Sequence, residues 1–185
     1  MVNLVIDEID EKMAKAVEAT RREFNSIRTG RATPALLDRI TVEAYGTQLP
    51  LNQVATISVP EPRLLVISPW DKGTISGSER SILKSDLGLT PSNDGNVIRL
   101  AIPSLTEERR RDLTRMVHRK TEDGKVAIRN VRREANEELK KLRKTGDISE
   151  DDEKRAEERV QKVTDKHVAE IERLQQHKEQ EVLEV

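Results

Sequence analysis

Four cations, Lys125, Arg129, Arg132 and Arg133, recur at the spacing of one flank of a helix. On a helical wheel they span roughly 100° and border an apolar seam instead of lying opposite it. Few acids stand within helical reach. Lys125 and Arg133 are four residues either side of Arg129, Asn136 is four beyond Arg132, and only Glu122 and Glu137 come close. Like charges at these spacings repel along a helix, whereas a planar guanidinium fork matches the oxygens of a phosphate. The chemistry expected is electrostatic contact with a phosphate backbone; the competing reading is a solvated face of i,i+4 salt bridges. Arg28 and Arg31, which straddle Gly30, are candidates for the same contact. The run Arg109–Arg111 falls near a helix start, where the macrodipole disfavours cations.

Covalent chemistry finds little support. Ser81 and Lys84 fit an S-x-x-K pattern, but the Ser-Asp-Asn and Lys-Thr-Gly partners of such acyl enzymes are missing. His118, His167 and His177 lack metal-ligand spacing, and no glycine-rich phosphate loop occurs. With no cysteine, thiolate chemistry and disulfides are excluded. The expectation is a non-enzyme with no catalytic residue, no cofactor and no metal. Phe24, Tyr45 and Trp70 are the only aromatics, too few to grip single-stranded RNA by base stacking. RNA would be met through its backbone and shape.

The net charge of −1 hides a segregation. Residues 109–133 hold ten Lys/Arg against three Asp/Glu, and residues 150–185 hold seven against twelve. A polyanion can therefore bind one flank while the whole stays neutral. The N-terminus has no basic n-region, and the longest strongly apolar run is Leu64–Ile67, so a soluble, cytoplasmic protein without a membrane span is expected.

The cations must be positioned by a long helix, read over Leu105–Lys144, about 60 Å at 1.5 Å per residue. Its seam is Leu113, Val117, Gly124, Ile128, Val131, Ala135, Leu139 and Leu142; Ser104–Glu107 matches a capping box and Thr145-Gly146-Asp147 a stop. A helix over 4–28 carries Ile6, Ile9, Met13, Ala16, Thr20, Phe24 and Ile27. A last one, capped at Ser149, carries Ala156, Val160, Val163, His167, Ile171, Leu174 and Val182. Three such stripes predict a three-helix bundle with coiled-coil-like packing. Between the first two helices the composition changes. All seven prolines lie in 34–103, and only 14 of the 74 residues in 31–104 are charged. Strands are read at Ile40–Ala44, Ala55–Val59, Arg63–Ile67 and Val97–Ile102, and a helix over 74–87. The class is α+β: a bundle of 1–30 and 105–185 with an inserted β/α/β domain, 31–104. Two short links, Thr29-Gly30-Arg31 and Pro103-Ser104-Leu105, would form the hinge.

Several stretches resemble the bacterial ribosome recycling factor family: Ile27–Ala32, Ser85–Leu89, Leu105–Arg110 and Val126–Glu134, in the right order over essentially the whole chain. The resemblance implies an L-shaped monomer of transfer-RNA-like dimensions. It further implies action after termination, splitting the ribosome into subunits with elongation factor G and that factor's GTP hydrolysis. The bundle would lie on large-subunit ribosomal RNA through Arg129, Arg132 and Arg133, helped by Arg28 and Arg31. The inserted domain would meet the elongation factor and the small subunit. Residues 73–81 depart from the family pattern, with glycine and serine where apolar residues and alanine are usual. A different class, a helical coiled-coil adaptor binding protein and no RNA, is the alternative.

Overall fold

The computed structural model describes residues 1–184. The chain divides into two compact units, Met1–Arg28 with Glu108–Leu183, and Thr29–Glu107 with the last residues of the chain.

The first unit consists of α1 (Val2–Asn25), α3 (Glu107–Lys144) and α4 (Glu150–Glu184). Each buries one row at three- and four-residue steps: Ile6, Ile9, Met13 and Val17 from α1, Val117, Ile128 and Leu139 from α3, Val160 and Ile171 from α4. Val131, Leu142, Val163 and Leu174, expected in the seam, flank this core half-buried. Buried Thr20, Thr121 and Thr164 donate their hydroxyls to the carbonyls of Ala16, Val117 and Val160 at 2.8–2.9 Å, so none of these three hydroxyls lacks a partner. Gly124 is in the seam because α3 has no room for a side chain at that point: a Cβ would meet Thr20 and, at 3.0 Å, Ile171 Cδ1.

The helix ends follow local chemistry. After α3, Gly146 adopts φ +79°, and the N–H groups of Asp147 and Gly146 return to the carbonyls of Leu142 and Arg143, a Schellman stop. Ser149 and Asp152 then exchange bonds in a capping box that opens α4, at 3.0 and 3.2 Å. Two expected ends shift. The first helix stops at Asn25, three residues early, because the Ser26 hydroxyl takes the Glu23 carbonyl and Ile27 turns back onto Phe24. The long helix begins at Glu107, so Ser104 and Leu105 belong to the link and the predicted capping box precedes the helix.

The second unit holds a hairpin, β1 (Thr41–Ala44) with β2 (Thr47–Pro50), and an antiparallel sheet. That sheet has the order β3 (Ala55–Glu61), β4 (Leu64–Pro69), β6 (Ile98–Ala101), β5 (Ser92–Asn93). Helix α2 (Ile75–Lys84) packs beside β1. Leu37, Val42, Leu51, Leu65, Ile67, Ile82, Ile98 and Leu100 form its core, which shares no residue with that of the bundle. Helix α2 is shorter than the expected 74–87. Asp71 caps the turn before it by accepting from Gly73 N–H, and the Ser85 hydroxyl ends it on the Ile82 carbonyl. Leu87 lies past its end and Leu83 is exposed. Of the small residues of this helix, Ser78 is fully buried, and a Cβ on Gly77 would sit in ordinary contact with Val42, 3.6 Å away.

The two links enter this unit side by side. Ala32 N–H donates to the Pro62 carbonyl and Ile102 N–H to the Arg63 carbonyl, both at 2.8 Å. Between these anchors and the helices, Gly30 takes φ +75°, Thr29 is buried, and Arg31, Pro103 and Ser104 are exposed.

Candidate nucleic-acid interface

Helix α3 presents the four cations in different electrical states. Lys125, half-buried along its stem, reaches across to α4 and ion-pairs with Glu172 at 3.0 Å. Arg129 pairs with Glu122, two turns back on its own helix, at 2.9 Å with both side chains about half exposed. Arg132 donates to the neutral amide oxygen of Gln161 on α4 at 3.3 Å. Arg133 is exposed and has no carboxylate partner among the described residues. The expectation of an unneutralised stripe is therefore corrected at two positions. Glu122 does pair, and Glu172 comes from another helix, where spacing along α3 cannot reveal it.

The exposed pair is a weak one. Ion pairs of this kind contribute about 0–1 kcal/mol, so an incoming phosphate can compete with Glu122 for Arg129. Arg132 and Arg133 need release no acid at all. Around them the surface forms an open depression lined by Arg129, Arg132, Arg133, Lys140, the amides Asn130 and Asn136, and the acids Glu137 and Glu157. Lys140 and Asn136 were not singled out from sequence; Lys140 continues the flank two turns beyond Arg133. With Arg129 paired to Glu122, the three other cations outnumber the two lining acids and leave this concavity a positive balance, and the amides add hydrogen-bonding capacity. Its geometry suits a ribose-phosphate backbone better than a flat apolar partner.

The remaining candidates stand apart. Glu23 on α1 is bridged to Lys120 on α3, and α1 runs antiparallel to α3. Exposed Arg28 therefore lies toward the start of α3, while Arg129 lies the other way by about 13 Å along the axis. Arg31 belongs to the second unit and is exposed. Arg109, Arg110 and Arg111 each engage another group.

The buried and surface histidines make structural contacts. His167, only 4% exposed, holds Asp10 of α1 through Nε2 at 2.6 Å and so ties two helices together. His118 touches Glu179 and Gln175 on the surface. Among the described residues no three His, Cys, Asp or Glu side chains form a metal cluster, and no helix is long and apolar enough to cross a membrane.

Comparison with known proteins agrees with this architecture and names it. The family model for ribosome recycling factor matches residues 20–183. The chain is 59% identical over 181 residues to the ribosome-recycling factor of Halalkalibacterium halodurans, covering 98% of each. It is 55% identical over 185 residues to that of Symbiobacterium thermophilum, covering both completely. A solution structure of the ribosome recycling factor superposes with TM-score 0.70 at 45% identity, over 100% of this chain and 98% of that one. The T. thermophilus ribosome recycling factor, from a study with E. coli elongation factor G on the E. coli post-termination complex, matches with TM-score 0.64 at 48% identity over 99% of both. On full-length identity and shared fold alike, the chain belongs to the ribosome recycling factor family.

Proposed function

We propose that this chain lies on ribosomal RNA of the large subunit through the depression on α3, with Arg132 and Arg133 as principal contacts. Arg129 joins them on release from Glu122, and Lys125 serves chiefly to hold α4. Arg28 and Arg31 make separate, supporting contacts. The observation that carries this reading is the pair Arg132 and Arg133, two guanidinium groups without carboxylate partners beside a cationic, amide-lined concavity.

The bundle is the RNA-binding part and the inserted unit, hinged through 29–31 and 103–105, is the part a motor acts on. A relative matched in a post-termination complex study together with elongation factor G supports that factor as the motor. Its GTP hydrolysis supplies the work, the chain makes and breaks no covalent bond, and subunit separation is mechanical. The protein acts as a monomer in the cytoplasm, where a small-subunit protein is a further partner for the inserted unit.

Arg132→Glu tests the interface. It should remove binding to isolated large subunits in co-sedimentation while the thermal unfolding midpoint stays within a few degrees of the parent. Retained binding would place the interface elsewhere.

A further inference from the structure

The chain has three aromatic residues, and the second unit turns two of them outward. Phe24 is buried in the bundle, but Tyr45 is 75% and Trp70 68% exposed. Neither serves a core. Tyr45 occupies the tight β1–β2 turn at φ +53°, followed by Gly46 at +78°, a left-handed position that a bulky side chain occupies at a cost. Both polar tips are engaged locally. Trp70 Nε1 donates to Thr56 Oγ1 at 2.9 Å, and the Tyr45 hydroxyl to Asp71 Oδ2 at 3.4 Å. What remains for a partner is ring surface, held at a fixed angle.

Strand register shows what surrounds the indole. The pairs Thr56–Ser68, Ser58–Val66 and Leu64–Ala101 lie on the sheet face opposite the core. That face has two charges, Glu61 across from Leu64 and Arg99, the latter already neutralised by Asp94 at 2.8 Å, in a chain of which 36% is charged. Depletion of charge around an exposed tryptophan is the composition of a protein-binding surface. At its corner stands Asp71, whose Oδ1 caps Gly73 N–H and whose carboxylate meets no cation among the described residues, neighbouring Lys72 included. Glu43, two residues before Tyr45, likewise has no ion pair. The unpaired Asp71 carboxylate, bonded to the Tyr45 hydroxyl and next in the chain to Trp70, repels a phosphate chain and attracts a guanidinium or ammonium, which the aromatic faces also favour.

We propose that the Tyr45–Trp70–Asp71 corner receives an arginine or lysine side chain from a protein of the recycling complex. The inference rests on the function proposed above only in the choice of complex for the assay. In that complex, splitting of purified post-termination ribosomes by the full chain and elongation factor G is timed for Trp70→Ala and for Asp71→Asn, which keeps the cap on Gly73 and removes the charge. Each should split about tenfold more slowly, with affinity for isolated large subunits unchanged and Trp70→Phe close to the parent. With p-benzoylphenylalanine at position 45, cross-links should fall on a protein segment bearing arginine or lysine, and exchanging that residue for glutamate should be rescued by Asp71→Arg. Parent-rate splitting by both variants, or cross-links confined to ribosomal RNA, would overturn the proposal. Failure of the arginine stripe shows separately, as unaltered large-subunit binding by Arg132→Glu.

Discussion

Gly124 on α3 and Thr20 on α1 are in such close apposition that the glycine has no space for a methyl group. The threonine cannot swing aside freely, because it is buried and its hydroxyl is bonded to Ala16 at 2.9 Å. Gly124→Ala should therefore destabilise the bundle. Overpacking costs about 1–3 kcal/mol, and the gain of about 1 kcal/mol in helix propensity offsets only part of it. Thr20→Ala in the same chain should restore stability, so a double-mutant cycle by urea unfolding should show coupling between the two sites.

Lys125 and Arg133 bear equal charge but should not contribute equally to RNA binding. Lys125 must surrender Glu172 to meet a phosphate; Arg133 surrenders nothing. Co-sedimentation with large subunits across a salt series should show Arg133→Ala lowering affinity more than Lys125→Ala, with a shallower salt slope by about one log-log unit. Lys125→Ala should instead lower the melting temperature slightly. A coiled-coil adaptor binding through apolar contacts would show little salt dependence for any variant.

Asp94 contributes to the acid limit of the inserted unit. Its carboxylate accepts N–H groups of Asn96 and Val97 at 2.9 Å and the Arg99 guanidinium at 2.8 Å. Those bonds, the backbone ones foremost, hold it well below the usual carboxylate range. A group depressed on folding stabilises the native state above its unfolded pKa, and the contribution is lost as pH falls toward the folded one. Stability against unfolding, followed by Trp70 emission, should thus fall progressively below about pH 4. Asp94→Asn should be less stable at neutral pH and show a flatter acid limb.

His167 depends on Asp10 in a way that Lys166 does not. The imidazole is buried and its Nε2 has Asp10 as partner, whereas Lys166 is 68% exposed and 3.8 Å from the same oxygen. Asp10→Ala leaves a buried ring nitrogen unsatisfied and should cost about 1–3 kcal/mol. Lys166→Ala should change the thermal midpoint little.

The parts legible in the sequence were those governed by local periodicity or local caps. Steps of three and four along Ile6–Phe24, Leu113–Leu139 and Ala156–Val182 locate the three helices, and Gly146 with Ser149 marks the turn between two of them. Strand β2 escaped notice because Thr47-Gln48-Leu49-Pro50 does not alternate and has no β-branched residue after Thr47; its pairing is dictated by the Tyr45-Gly46 turn and by Val42 across from Leu49. At the interface, the stripe itself was visible. The neutralisation of Lys125 by Glu172 and the bond from Arg132 to Gln161 were not, because those partners arrive from α4 and depend on how two helices are rotated against each other. Asn136 and Lys140 were passed over for a similar reason: a concavity is a property of a surface, not of a spacing.

Ala32 and Ile102 attach to Pro62 and Arg63, neighbours in the chain. Everything between them begins and finishes at one doorway, which is the layout of a detachable cassette. The stretch could be excised and the helices rejoined through a few glycines, yielding two shorter polypeptides, each with its own apolar interior. It could also be exchanged whole between relatives, so that the lobe's partners could diversify without renegotiating the helices.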